Sequence, residues 1–205
     1  FNTLTAEYSI LQNKSIDIDS FSGEMIADGN DLFLANRLTD SIDRYTVTFA
    51  DTGEFQSIKR NSSHPPIEVG EDPYVLTLLS FSDQAPLLLT SNLIGGSLSV
   101  IDRNSWQLVN LDENDFDELK GIVLDTNTAN LTPKGRGVAE IASIQGGKFA
   151  IVISQSFNVA YVIDTETKSM EGYIFTDNRY GAAAGGLRGI AVSTSDTIYL
   201  ASRDG

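Results

Sequence analysis

Gly23-Glu-Met-Ile-Ala-Asp-Gly-Asn-Asp-Leu-Phe-Leu-Ala-Asn36 and Arg188-Gly-Ile-Ala-Val-Ser-Thr-Ser-Asp-Thr-Ile-Tyr-Leu-Ala-Ser202 carry one pattern near opposite ends of the 205-residue sequence. Each is an apolar strand, a polar turn and a second apolar strand, with period-2 alternation. Residues 74–92 and 138–156 repeat it. Three times the order then continues. A third strand is expected at 44–49, 97–101 and 159–163, followed by an Asp at a turn: Asp51-Thr-Gly53, Asp102-Arg-Asn104 and Asp164-Thr-Glu166. An Asp there can accept a backbone N–H two residues on and so fix the turn. A fourth strand is expected at 54–60, 106–111 and 170–175.

The inner strands begin near Glu24, Tyr74, Val138 and Gly189, at spacings of 50, 64 and 51 residues. An insertion at 112–135, placed after the fourth strand of the second unit, accounts for the long middle spacing. A tandem four-stranded antiparallel unit of about 40–50 residues is the signature of a β-propeller blade. The fold class expected is therefore all-β: a single β-propeller domain over 1–205 with complete blades at 23–60, 73–111 and 137–175. Partial blade strands stand at both termini. Residues 188–205 open a fourth blade, which 3–20 would complete in a closed four-bladed ring. The favoured expectation is an incomplete propeller, part of a larger one, in which 3–20 end a preceding blade.

Within these units, Leu32-Phe-Leu-Ala-Asn-Arg37, Ile42-Asp-Arg-Tyr45 and Thr52-Gly-Glu-Phe55 resemble an NHL-type blade. Arg188-Gly-Ile-Ala-Val192 with Thr197-Ile-Tyr-Leu-Ala201 resembles the first two strands of another. Val159-Ala-Tyr-Val-Ile-Asp-Thr-Glu-Thr167 is similar to the YVTN repeat of surface-layer propellers. The second blade, with Ser80-Phe-Ser-Asp-Gln-Ala-Pro86, departs from the motif. The resemblance implies architecture, and these superfamilies host lactonases, lyases, adhesins and scaffolds alike.

Composition narrows the partners. Twenty-eight acidic residues against 14 basic ones give a net charge of −14, and the Lys and Arg are scattered. Nucleic acid and anionic membrane surfaces are disfavoured, because binding them needs clustered cations. Apolar runs such as Phe149-Ala-Ile-Val-Ile153 are too short to insert across a bilayer as helices. With no cysteine, disulfides and thiolate metal sites are excluded. An acidic secreted domain is expected, in an extracellular, cell-surface or periplasmic location.

Chemistry is sparse. His64 is the single histidine, and no Gly-x-Ser-x-Gly elbow accompanies a serine. The run Gly181-Ala-Ala-Ala-Gly-Gly-Leu-Arg-Gly189 lacks the lysine and setting of a phosphate loop. No cofactor is expected, but calcium is possible: Asp112, Asn114 and Asp117 in the insertion offer oxygen ligands, although an EF-hand glycine and glutamate are missing. Arg136 and Arg188 each precede a glycine that opens an inner strand, and are read as equivalent positions at the mouth of the central channel. One face is expected to gather Arg37, His64, Asp115, Asp117, Arg136, Arg179, Tyr180 and Arg188. Two arginines there could hold a carboxylate or an acidic loop bidentately, or simply pair with nearby Asp residues. The leading expectation is a non-enzymatic module that binds a protein or a glycan. The alternatives are a lactonase-like hydrolase or lyase with a calcium-type ion at the channel mouth, and a surface-layer or filament subunit assembling through open propeller edges.

Overall fold

A computed structural model describes residues 21–81, 85–109, 121–124, 137–176 and 186–202. The first sheet holds β1 (Ser22–Asp28), β2 (Asp31–Asn36), β3 (Ser41–Phe49), β4 (Phe55–Arg60) and β5 (Ile67–Glu68). The second holds β6 (Pro73–Leu79), β7 (Leu87–Asn92), β8 (Ser97–Asp102), β9 (Gln107–Leu108) and β10 (Ile122–Val123). β11 (Val138–Ile144), β12 (Phe149–Ser154), β13 (Val159–Asp164) and β14 (Ser169–Phe175) form the third, and β15 (Leu187–Val192) pairs with β16 (Ile198–Ser202) in the fourth. All pairings are antiparallel meanders, and the only helical turn among the described residues is the 3₁₀ turn Gln145–Gly147.

Alternation along the strands builds the joints between blades. In β7 every residue is buried: Leu88 joins Phe33, Ala35, Ile42 and Trp106 towards the first sheet, whereas Leu87 and Leu89 join Val152, Tyr161 and Ile163 towards the third. In β12, Ala150 and Val152 face the second sheet, and Ile151 and Ile153 pack with Leu187 of the fourth. A strand covered on both faces reads as continuously apolar, and each such side chain contributes about 1.5–3 kcal/mol.

The outer strands correct one expectation. The insertion does not follow the fourth strand of the second blade; it interrupts it. β9 pairs with Ile101 and Asp102 of β8, and β10 pairs with Ser97 and Leu98 of the same strand. The first blade is broken alike: β4 pairs with Tyr45–Phe49 of β3 and β5 with Ser41 and Ile42. Among the described outer strands only β14 is continuous, from Ser169 opposite Asp164 to Phe175 opposite Val159. The sequence hides this because two-residue strands carry no periodicity to read.

The turn aspartates hold in two blades. Asp102 Oδ1 accepts the amides of Asn104 (2.9 Å) and Ser105 (2.8 Å), and Asp164 Oδ1 those of Glu166 and Thr167 (2.9 Å each). These bonds hold the Asp164 carboxyl below its ordinary range, led by the Thr167 amide. In the first blade β3 runs on to Phe49, so Asp51 lies past the strand end. Its turn is closed by the backbone bonds Ala50 N to Glu54 O and Gly53 N to Ala50 O, both 2.8 Å.

Candidate binding face and channel

The β2–β3 type turns and the inter-blade connections meet on one face, here the upper face, as a relay of backbone bonds. Val69 N donates to Asp40 O (2.8 Å), Leu93 N to Asp72 O (2.8 Å), Gly137 N to Leu93 O (2.6 Å) and Gln155 N to Gly137 O (2.7 Å). Asp40 Oδ1 also accepts the Asp72 amide at 2.8 Å. Each connection is thus tied to the turn before it and the turn after it, and orphan backbone groups of the loops are satisfied without solvent.

Arg37 opens the first of these turns. Its Nε and Nη2 donate to Asp72 Oδ1 (2.5 Å) and Oδ2 (3.0 Å), and its guanidinium lies 4.7 Å from the Phe21 ring centre and 5.0 Å from that of Tyr74. The Asp72 hydrogen bond, working against burial, raises the Arg37 pKa further. Beside it Phe21 and Leu38 are 63% and 68% exposed. Arg37 is therefore a fixed, stacked cation within an apolar rim, internally paired rather than waiting for a carboxylate.

Arg188 lies on the same face, exposed, with Nη1 donating to Gln155 Oε1 at 3.0 Å. Its expected equivalence with Arg136 fails on register. Val138 opposite Ser154 matches Leu187 opposite Ser202, so Arg188 corresponds to Ala139. The glycines one place earlier confirm this. Gly137 (φ +79°) and Gly186 (φ +30°) both take left-handed backbone, and a Cβ on either would strike Ser156 or Gln155. The two Arg-Gly pairs are therefore offset by three residues in the repeat. Arg136 itself lies outside the described residues, as do Arg179, Tyr180, Asp112, Asn114, Asp115, Asp117 and the stretch 3–20.

His64 is not on the upper face. The loop after β4 leaves the sheet halfway along β3, where Asn61 N donates to Arg44 O at 2.8 Å. It carries His64 outward to the joint between the first two blades. There the imidazole stands edge-on to Trp106, centroids 6.1 Å apart, with Nδ1 3.1 Å from Asn61 Oδ1. Trp106 Nε1 donates to Pro65 O at 2.7 Å, so loop and indole lock together. A loop residue whose loop folds back on a neighbouring blade cannot be placed from its own sequence.

Sequence reasoning missed two residues in the channel. Each inner strand carries a bulge at its start, and counting from it places Glu24 and Glu140 at the same position of the first and third blades, with Val75 and Gly189 in the others. Glu24 Oε2 accepts the amide of Leu76 at 2.9 Å, capping an inner-strand N–H that no further strand covers. Burial, reinforced by the Glu24 charge, pushes the Glu140 carboxyl above its ordinary range. An acid recurring at one repeat position was the available signal. No group of three or more His, Asp or Glu side chains that could hold a metal occurs among the described residues.

No family model matches the chain, and no curated protein matches it. Solved structures do. Hydrazine synthase of Kuenenia stuttgartiensis is similar at 20% identity, with 92% of this chain and 44% of that chain covered and a TM-score of 0.56. Sqt1 of Chaetomium thermophilum matches at 16% identity, covering 85% and 40%, with a TM-score of 0.57. A structure described as the Dos1 propeller matches at 12% identity, covering 87% and 41%, with a TM-score of 0.50. The chain spans less than half the length of each of these proteins. At such identities the likeness establishes fold alone, and with the sheet order above it makes this chain a β-propeller.

Proposed function

We propose that this propeller is an extracytoplasmic binding module that takes a protein or glycan partner on its upper face and has no chemistry of its own. The observation that carries the reading is the Arg37 cluster: a guanidinium immobilised by Asp72, Phe21 and Tyr74, bordered by exposed Phe21 and Leu38. Interface centres favour stacked aromatic and arginine side chains that lose little freedom on binding. Arg188 and Gln155 extend the same face across the fourth and third blades. The acidic composition is that expected of a soluble secreted domain. The test is crosslinking capture with wild type, Leu38→Asp and, as a control on the opposite face, Glu166→Lys. Partner recovery should fall at least tenfold for Leu38→Asp and hold for Glu166→Lys; equal recovery from all three overturns the reading.

A second reading rests on Glu24 and Glu140, two carboxylates in one channel, which favour a lactonase-like hydrolase or lyase holding a calcium-type ion there. Calorimetric calcium binding that Glu140→Gln abolishes, with lactone turnover lost on chelation, would establish it; no heat and no turnover would remove it. Assembly through the outer sheets, where Met25 and Tyr199 are 58% and 61% exposed, would show as self-association in sedimentation.

A further inference from the structure

One position of the repeat is filled differently in each complete blade. Asp43, Ser99 and Tyr161 share it, because Ala35 pairs with Ile42 as Ser91 pairs with Leu98 and Ile153 with Ala160. In the second blade Ser99 Oγ accepts Asn92 Nδ2 at 2.9 Å and the amide of Gly70 at 3.2 Å, so the connection between blades covers it. In the third blade the fully buried ring of Tyr161 fills the space. In the first, Asp43 Oδ2 accepts Asn36 Nδ2 at 3.3 Å and Arg60 Nη2 at 2.9 Å. Its Oδ1 is buried with no partner, in a residue only 1% exposed. A carboxylate oxygen in that state has given up water and gained nothing, which favours any ligand that brings a donor.

Asp43 borders a cleft of about 370 Å³, with Asn36 and Ser41 beside it and Arg60, Pro66 and Glu68 around them. Asn36, Ser41 and Asp43 are buried and form the floor; Pro66 and Glu68 are exposed and form the rim. The volume is that of a small-molecule site, but the lining is polar where such sites are mostly apolar. Both signs of charge are present. An anion would face Asp43 and Glu68, and a cation would face Arg60. A neutral ligand rich in hydroxyls meets neither conflict. Each hydroxyl donates one hydrogen bond and accepts others, and here a carboxylate oxygen without a donor stands beside a donating amide and guanidinium. Pro66 offers an apolar patch to the C–H face of a ring.

We propose that this cleft is a binding site separate from the Arg37 cluster, and that it takes a neutral saccharide ring with one hydroxyl donating to Asp43 Oδ1. Asn36 and Arg60 hold the carboxylate in place through Oδ2, and the rim residues bound the ring.

An amide-resolved NMR titration of the full chain tests this, with glucose, galactose, mannose and N-acetylglucosamine as probes and putrescine and acetate as charged controls. At millimolar concentration at least one saccharide should shift the amides of Asn36, Ser41 and Asp43 saturably, and neither control should. Asp43→Asn, which keeps the shape of the side chain, should weaken that saccharide by about tenfold or more. Glu166→Lys, on the opposite face, should leave its affinity unchanged. Wild type that none of the four saccharides shifts at these amides overturns the inference whatever the variants do. So does saturation of the cleft by putrescine or acetate, or a folded Asp43→Asn protein that binds the saccharide as tightly as wild type.

Discussion

The joint between the first and second blades and the joint between the second and third solve one packing problem with different chemistry. The second joint is aliphatic: Leu87, Leu89, Val100, Val138, Val152 and Ile163 around a fully buried Tyr161. Every one of these is an inward position of a strand. The first joint is aromatic and charged. Phe33 stacks on Trp106 at 5.7 Å, the Arg44 guanidinium lies 5.4 Å from the Trp106 ring centre, and Asp31 Oδ2 takes Arg44 Nη2 at 2.6 Å and Arg103 Nη2 at 3.4 Å. Asp28 closes the network on Arg103 at 2.6 Å. Two of its members come from a turn. Trp106 sits at φ +54°, in the turn position that Lys168 (φ +54°) occupies in the third blade, so one repeat position fills a joint in one blade and not in the next.

Removing the plug should cost most. Trp106→Ala loses the Phe33 stack and the bond to Pro65 O and should destabilise by about 3–5 kcal/mol in urea unfolding. A loss below about 1 kcal/mol would mean that the first joint does not depend on its aromatic plug. In the second joint, Leu89→Ala should cost about 2–4 kcal/mol, a cavity cost insensitive to salt. Asp31→Asn strips the shared partner of Arg44 and Arg103. It should cost about 1–3 kcal/mol, between exposed and buried pairs, and the loss should shrink in 1 M salt. Equal salt response of Leu89→Ala and Asp31→Asn would erase the distinction between the joints.

The smallest effect belongs to the channel. The Glu140 pKa is raised by burial and by Glu24, so the folded state holds that proton more tightly than the unfolded chain. The stability this gives relative to Glu140→Gln is fully present below the unfolded carboxylate pKa and lost as pH rises through the raised folded value. Glu140→Gln should therefore melt slightly higher than wild type at pH 7, with the gap closing towards pH 4. A gap that widens on acidification would contradict it.

The contrast explains what could be read from the sequence. The second joint was legible because Phe149-Ala-Ile-Val-Ile153 and Val159-Ala-Tyr-Val-Ile163 write their burial into consecutive residues. So were the inner strands and the turns capped by Asp102 and Asp164. The first joint was not, since Trp106 and His64 reach it from a turn and a loop whose direction depends on the neighbouring blade. The split outer strands escaped because β5, β9 and β10 are two residues each. The bond from Arg37 to Asp72 spans 35 residues, beyond any local pattern. The Arg136–Arg188 equivalence fails because the bulge at the start of each inner strand, not the Arg-Gly dipeptide, sets the repeat register.

Methyl-resolved nuclear Overhauser spectroscopy on Leu88 and Leu89 tests the blade architecture most directly, since adjacent residues of β7 must point into different joints. The account predicts that Leu88 methyls reach Ile42 and other side chains of the first sheet, and that Leu89 methyls reach those of the third. Both leucines contacting the same sheet would contradict it.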